Sequence, residues 1–322
     1  MNEKSLAGKV ALVAGATRGV GRGVARALGE AGATVYCSGR STPGSPSPYG
    51  RPETIDETAE LVTAAGGTGI AVRVDHGVED EVQALMHRIG RDHGRLDILA
   101  NSVAGMDPIM GTWGLWDADL SNGEAILRQT VLTHIVTAKH ATPLMSKHKG
   151  GLLVEITEGD TLACGGNTLT IVSKIALKAL ALALSEHLRG KRLTVVSAAP
   201  GFLRSEMMLD HFKVAEANWR DAAKQDENFL HSETPLFIGR GIAALAADRK
   251  RFELTGQLLS SWELARRYGV TDADGSSPDW GRHFERIAPG MGPYRDGFER
   301  EANWLERLVG RARAYAGGGS DA

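Results

Sequence analysis

Residues 9–32 read KVALVAGATRGVGRGVARALGEAG, and the way that stretch divides decides the fold. Val10 to Ala14 is an apolar run of strand length without polar alternation, which suits a strand buried on both faces. Gly15, Gly19 and Gly21 follow, and then Val20, Val24, Ala27 and Leu28 recur at helical spacing. A strand that ends in a glycine-rich turn and opens a helix offers an anion its free backbone N–H groups and the positive end of the helix dipole. Glycine admits positive φ and lets a diphosphate approach with no Cβ in the way. Such a turn alone is weak, because the chain holds 40 glycines. Its place between strand and helix reads it as a dinucleotide site.

The alternation continues outward. Residues 33–38, 69–74, 96–101, 152–156 and 193–198 read as further strands, with a last one near 257–259. Residues 52–66, 79–93, 124–147, 168–188 and 236–247 read as helices. Strands and helices taking turns give a parallel sheet covered on both faces, a doubly wound α/β fold. No composition break splits it, so residues 1–264 are expected to form one domain and 265–322 a C-terminal extension. In that extension residues 299–315, with Trp304, Leu305 and Leu308, pattern as an amphipathic helix docked on the body or on a neighbouring subunit.

Some segments fall outside the rhythm. Residues 41–52 (STPGSPSPYGRP) read as a surface loop, a tolerated insertion. Residues 102–123 carry Trp113 and Trp116; residues 202–234 carry Met207, Met208, Phe212 and Trp219. Both follow the carboxyl ends of strands, where ligands bind in open α/β sheets. These side chains either face a small-molecule substrate or seal the core from above.

Bulk properties exclude several classes. A net charge of −2 gives no overall footprint for nucleic acid or an anionic membrane. Cys37 and Cys164 stand far apart, without metal spacing, which fits a reducing compartment and no metal site. The opening MNEKSLAGKV has no apolar signal core, and no apolar run approaches the ~20 residues of a bilayer span. The expectation is a cytoplasmic protein.

Motifs in order then narrow the reading. Residues 14–21 read AGATRGVG; Asp75 and His76 follow the third strand; Asn101 ends the fourth within ANSVAG; Pro200 to Ser205 read PGFLRS. In this order the chain resembles the short-chain dehydrogenase/reductase family from about Leu6 to Trp262. The resemblance implies a Rossmann sheet of about seven parallel strands. It also implies a nicotinamide cofactor held by Gly15, Thr17, Arg18, Gly19, Val20 and Gly21, by Asp75 and His76 near the adenine, by Asn101, and by Pro200, Gly201, Leu203 and Ser205. Ala14 stands where the family usually has threonine, and Ser205 takes the place of the hydroxyl that meets the nicotinamide carboxamide. Family members assemble through their fourth and fifth helices, which implies a homodimer or homotetramer.

Charge argues for one cofactor. Arg40 ends the second strand where NAD-selective members place an acid, and Arg18 lies in the glycine turn beside the same ribose. Two guanidiniums suit a 2′-phosphate through bidentate, charge-assisted contacts. The alternative is two solvated arginines; the expectation adopted is NADP(H).

The catalytic half departs from the family. Its pattern is a Tyr-x-x-x-Lys pair with a serine ending strand five and an asparagine in helix four; the lysine lowers the phenol pKa so that it can exchange a proton. Lys174 is present and can still hold the nicotinamide ribose, but Thr170 occupies the tyrosine position, Glu158 the serine position and Thr130 the asparagine position. No tyrosine lies between Tyr49 and Tyr268, so no shift of alignment restores the phenol. Glu158 is a candidate acid or base near Lys174, or only its ion-pair partner. His134 and Asp160 read as structural or solvated, and Cys164 has no histidine base placed for it. Three functions stay open: an oxidoreductase acting on a carbonyl or alcohol through Glu158, Thr170 and Lys174 or a bound water; a non-redox enzyme (elimination, isomerisation or ring opening) on the same scaffold; and a silent nucleotide-binding member.

Overall fold

The computed structural model describes residues 4–104, 120–159 and 168–287. β1 (Val10–Ala14) is buried along its whole length. Its alternate side chains feed two cores: Ala11 and Val13 face one, Val10 and Leu12 the other. β2 (Thr34–Gly39), β3 (Thr68–Arg73), β4 (Ile98–Asn101), β5 (Leu152–Ile156), β6 (Thr194–Ala199) and β7 (Leu258–Ser260) complete one sheet. Its order is β3-β2-β1-β4-β5-β6-β7, and every neighbouring pair is parallel. The winding direction reverses between β1 and β4, which opens a crevice at the carboxyl ends of those strands.

Helices cover both faces, as two-sided burial demands. α1 (Gly19–Glu30), α2 (Ile55–Ala64) and α8 (Pro235–Ala247) contribute Val24, Val62 and Ile242 to one core. α3 (Glu79–His93), α5 (Thr133–Met145) and α6 (Thr168–His187) contribute Ile89, Ala138 and Ala181 to the other. α2 starts at a capping box in which Thr54 accepts from Glu57 N and the Glu57 carboxylate accepts from Thr54 N.

Three departures from the sequence reading bear on the site. The long helix begins earlier than residue 124, as α4 (Leu120–Leu127), and a π-turn at Arg128–Leu132 separates it from α5. Residues 202–234 are helical rather than irregular: α7 (Glu206–Phe212) is followed by 3₁₀ turns at Glu216–Lys224 and Glu227–His231. There Phe212, Trp219 and Phe229 form a buried cluster, so two of the aromatic residues seal the core. Contrary to the expectation that no apolar run reaches span length, α6 is 20 residues long with a mean hydropathy of 1.6, enough to cross a membrane by length and composition. Here it lies against β5 and β6, and leaves Val172 on an exposed side.

After β7 the chain continues as α9 (Ser261–Tyr268) and α10 (Trp280–Ile287). Asp272, between them, is buried and accepts from Thr234 N at 2.8 Å and from the Thr234 hydroxyl. The helix expected at 299–315 lies outside the described residues, as do Trp113, Trp116, Asp160 and Cys164.

Candidate active site

The glycine turn sets one wall of the crevice. Gly15 has φ +79°, and a Cβ there would lie 2.6 Å from Ser102 O. A Cβ on Gly21 would lie 2.1 Å from Gly15 O, so only glycine lets α1 fold back onto the turn. Around this turn opens a cleft of about 1740 Å³. It is large enough for a dinucleotide and a second ligand together. Gly15, Thr17, Arg18, Gly19 and Val20 line it, with Arg40, Asp75, His76, Pro200, Gly201, Leu203 and Ser205. Glu158 and Lys174 face the same space. The protein's residues therefore fit the dinucleotide that the motifs imply: a turn that a Cβ would fill, a helix start whose own N-cap residue supplies no side-chain cap, and a large groove with both polar and apolar lining.

Where Arg18 and Arg40 line the cleft, charges are shared. Arg18 Nε lies 3.2 Å from Glu53 Oε2, and its Nη2 donates to Ser47 Oγ at 3.0 Å. Arg51 also holds Glu53, Nε donating to Oε2 at 3.0 Å. Burial alone would raise the Glu53 carboxyl; the Arg51 hydrogen bonds and the two guanidinium charges outweigh it and keep the group below the usual carboxylate range. Arg40 stands 3.9 Å from Asp75. Ser47 and Arg51 come from the 41–52 loop, which the sequence suggested was a tolerated insertion. Instead it walls the cleft with Ser47, Pro48 and Tyr49, and Tyr49 Oη donates to Gln129 Oε1 in the π-turn at 3.3 Å.

His76 lines the cleft with both ring nitrogens committed. Thr137 Oγ1 donates to Thr133 O at 2.7 Å and therefore accepts from His76 Nδ1 at 2.8 Å; Nε2 lies 2.9 Å from Ser38 Oγ. Burial, with His134 nearby, pushes this imidazole down to about 4, so it is neutral at pH 7.

The catalytic positions separate into two groups. Lys174 Nζ lies 3.9 Å from Glu158 Oε2, and the Glu158 side chain is 45% exposed. Thr157 Oγ1 donates to Lys174 O at 2.9 Å, tying the end of β5 to α6. Thr130 sits inside the π-turn, lines the cleft, and has a buried hydroxyl with no partner among the described residues. A π-turn at a cleft often marks a working site, since it re-aims side chains. Thr170 is 1% exposed and does not line the cleft. Asn101 is likewise buried beneath the floor, where Nδ2 donates to His134 O at 3.1 Å. Ser205 caps α7 by accepting from Met208 N at 3.4 Å.

Sequence reasoning missed a buried dyad below this floor. Glu155 on β5 and His134 on α5 meet at 2.5 Å, Oε2 to Nδ1, both almost wholly buried. His134 Nε2 donates to Val103 O at 3.0 Å, so one proton lies between Nδ1 and the carboxylate and the pair is neutral overall. A charged residue inside the apolar run LLVEI was the available signal.

A second buried acid lies behind Gly201 in the cleft wall. Glu233 Oε2 accepts from Gly201 N at 3.0 Å and from Ser261 Oγ at 2.5 Å. Burial, opposed by those hydrogen bonds and aided by Asp272, pushes its carboxyl up to about 8. Below pH ~4.5 the group is protonated in both the folded and unfolded chains; between there and about 8 only the folded chain keeps the proton, so stability falls as pH rises. Glu233→Gln should remove that slope. Melting curves from pH 5 to 8.5 should show wild type losing ground to the variant by several degrees, whereas parallel curves would rule out a buried protonated acid.

Part of the cleft wall is apolar, formed by Phe202, Met207, Met208, Trp262, Trp280 and Phe284 beside the charged Arg266, Asp279, Arg282 and Glu285. Trp280 meets Phe202 edge to face, ring centroids 5.4 Å apart. α10, outside the stretch that carries the motifs, thus supplies part of this wall.

Comparison with known proteins agrees with this fold. The family model described as short chain dehydrogenase matches residues 9–214. Dehydrogenase/reductase SDR family member 1 of Homo sapiens is 33% identical over 273 residues, covering 83% of this chain and 84% of that protein. A 7alpha-hydroxysteroid dehydrogenase of Clostridium sardiniense is 29% identical over 220 residues, 65% of this chain and 78% of that protein. The crystal structure of a dehydrogenase/reductase from Sinorhizobium meliloti superposes with a TM-score of 0.65 at 24% identity, covering 80% of this chain and 95% of that one.

Proposed function

The chain belongs to the short-chain dehydrogenase/reductase family, and from that premise we propose that it is an NADP(H)-dependent oxidoreductase for bulky apolar carbonyl or alcohol compounds with a non-standard proton-transfer site. The supporting observation is one continuous cleft lined by Arg18 and Arg40, by Lys174 and Glu158, and by an aromatic wall of Phe202, Trp262, Trp280 and Phe284. At the adenosine end Arg18, Arg40 and Arg51 are balanced by Glu53, Asp75 and Asp210, so a 2′-phosphate would be favoured by the guanidinium donors of Arg18 and Arg40 lining the cleft rather than by a net positive charge. The nicotinamide supplies or accepts the hydride when bound. The protein's own part is to hold the ribose through the Lys174 ammonium, to exclude water with Phe202, Trp280 and Phe284, and to hold the exchangeable proton on Glu158. A flat, ring-containing substrate suits a wall of that kind. The hydroxysteroid specificity of the clostridial relative is of the same character.

Calorimetric titration tests the cofactor assignment. NADPH should bind more tightly than NADH, and Arg40→Ala should weaken NADPH about tenfold while leaving NADH within twofold. Equal affinities in the wild-type protein would sink it.

The same reading covers assembly. Leu132, Ile135 and Val172 are exposed on the π-turn, α5 and α6, and only 33% of the apolar α6 window is buried. A second copy laid on this face would cover it, giving a homodimer or homotetramer.

A further inference from the structure

α1 begins without an anion of its own. Its N-cap residue, Arg18, makes no side-chain cap, and its first turn holds no acidic residue. The orphan N–H of Gly19 is instead satisfied from far along the chain: Glu206 Oε2 accepts it at 2.9 Å. Glu206 Oε1 also lies 3.8 Å from Arg22 Nε, and the side chain is 26% exposed. One turn further along α7, Asp210 pairs with Arg51 Nη1 at 2.9 Å. Two carboxylates therefore tie α7, on the substrate side of the cleft, to the adenosine side. Glu206 and Gly19 both line that cleft.

A carboxylate and a diphosphate compete for the same helix start. Each is drawn by the exposed N–H groups and the dipole of α1, and the two repel when both are near it. Resting on the reading that this cleft takes a dinucleotide, we propose that Glu206 is a cofactor-affinity residue. It holds the diphosphate position at Gly19 until the cofactor displaces it, and so weakens binding of any ligand that carries a diphosphate. Displacement frees the first turn of α7. Because Met207 and Met208 follow on the same helix, cofactor entry alters the substrate wall and should precede substrate binding. Arg22 remains close enough to receive the displaced carboxylate.

Glu206→Gln keeps an acceptor for Gly19 N and removes the charge. The full-length wild type and variant should be titrated with NADP⁺, ADP-ribose and 2′-AMP, with melting temperature as the check on folding. The variant should bind NADP⁺ and ADP-ribose about tenfold more tightly, and 2′-AMP, which has no diphosphate, within twofold of wild type. Unchanged or weaker dinucleotide binding by a folded variant would overturn the proposal, as would equal tightening of 2′-AMP. Wild type that binds 2′-AMP but neither diphosphate ligand would overturn the dinucleotide reading itself, and Glu206 would lose its role with it. If Glu206→Gln does not fold, Glu206→Ala supplies the same comparison, with the same outcomes.

Discussion

Glu158→Gln is expected to lower turnover of any ketone that the wild type reduces by about a hundredfold, with little change in fold or NADPH affinity. Glutamine preserves the size of the side chain and its ability to accept a hydrogen bond, but it cannot hold or release a proton. Glu158 faces the cleft 3.9 Å from Lys174, whereas Thr170, which the resemblance aligned with the family's tyrosine, is buried and does not line it. A threonine hydroxyl would in any case be far too weak an acid. Among the described residues lining the cleft, Glu158 is the carboxyl group beside Lys174. The limb of the pH–rate profile that it controls should disappear in the variant. A purely structural partner of Lys174 would behave in reverse: melting temperature and NADPH affinity would drop while the remaining activity kept its pH dependence. Measuring melting temperature, NADPH affinity and the pH profile on this one variant separates the two. An unchanged rate and profile would remove Glu158 from the chemistry.

The sheet was legible because both periodicities are strong. Fully apolar strands such as β1 alternate with helices whose apolar positions recur every three or four residues, and that pattern alone requires a parallel, doubly covered sheet. The glycine turn was legible because backbone approach restricts residue choice there. What escaped depends on contacts distant in sequence. The 41–52 loop has the composition of a tolerated insertion, and it is contacts far apart in sequence, from Arg51 to Asp210, from Ser47 to Arg18 and from Tyr49 to Gln129, that fix it to the cleft. α10 reaches the cleft through contacts distant in sequence: Asp272 is anchored at Thr234, Arg266 pairs with Asp279, and His283 meets Asn228. The π-turn leaves no clear mark in RQTVL. His134 and Glu155 each looked ordinary in sequence. The register that places Asn101 opposite Glu155 puts both under α5, where Asn101 holds the His134 carbonyl and Glu155 holds its ring.

That dyad should dominate the stability of the region. Its two members carry one shared proton and no net charge, so the pair is tolerated in the core, while either member alone is not. His134→Leu would leave Glu155 buried without its partner, with Oε1 already lacking one among the described residues. Breaking a buried pair in this way costs about 3–5 kcal/mol. In a chain of this size that corresponds to a fall in melting temperature of roughly 10 °C. Glu155→Leu alone should also destabilise, because the imidazole keeps its bond to Val103 O but loses the acceptor at Nδ1. Replacing both by leucine removes the stranded polar groups together, so the double variant should be more stable than His134→Leu alone. Denaturant unfolding of wild type, both single variants and the double variant tests this as a thermodynamic cycle. A coupling energy above about 2 kcal/mol supports a mutually dependent pair. Losses that simply add would mean that His134 and Glu155 act independently, and the brace between β5, α5 and the cleft floor would lose its basis.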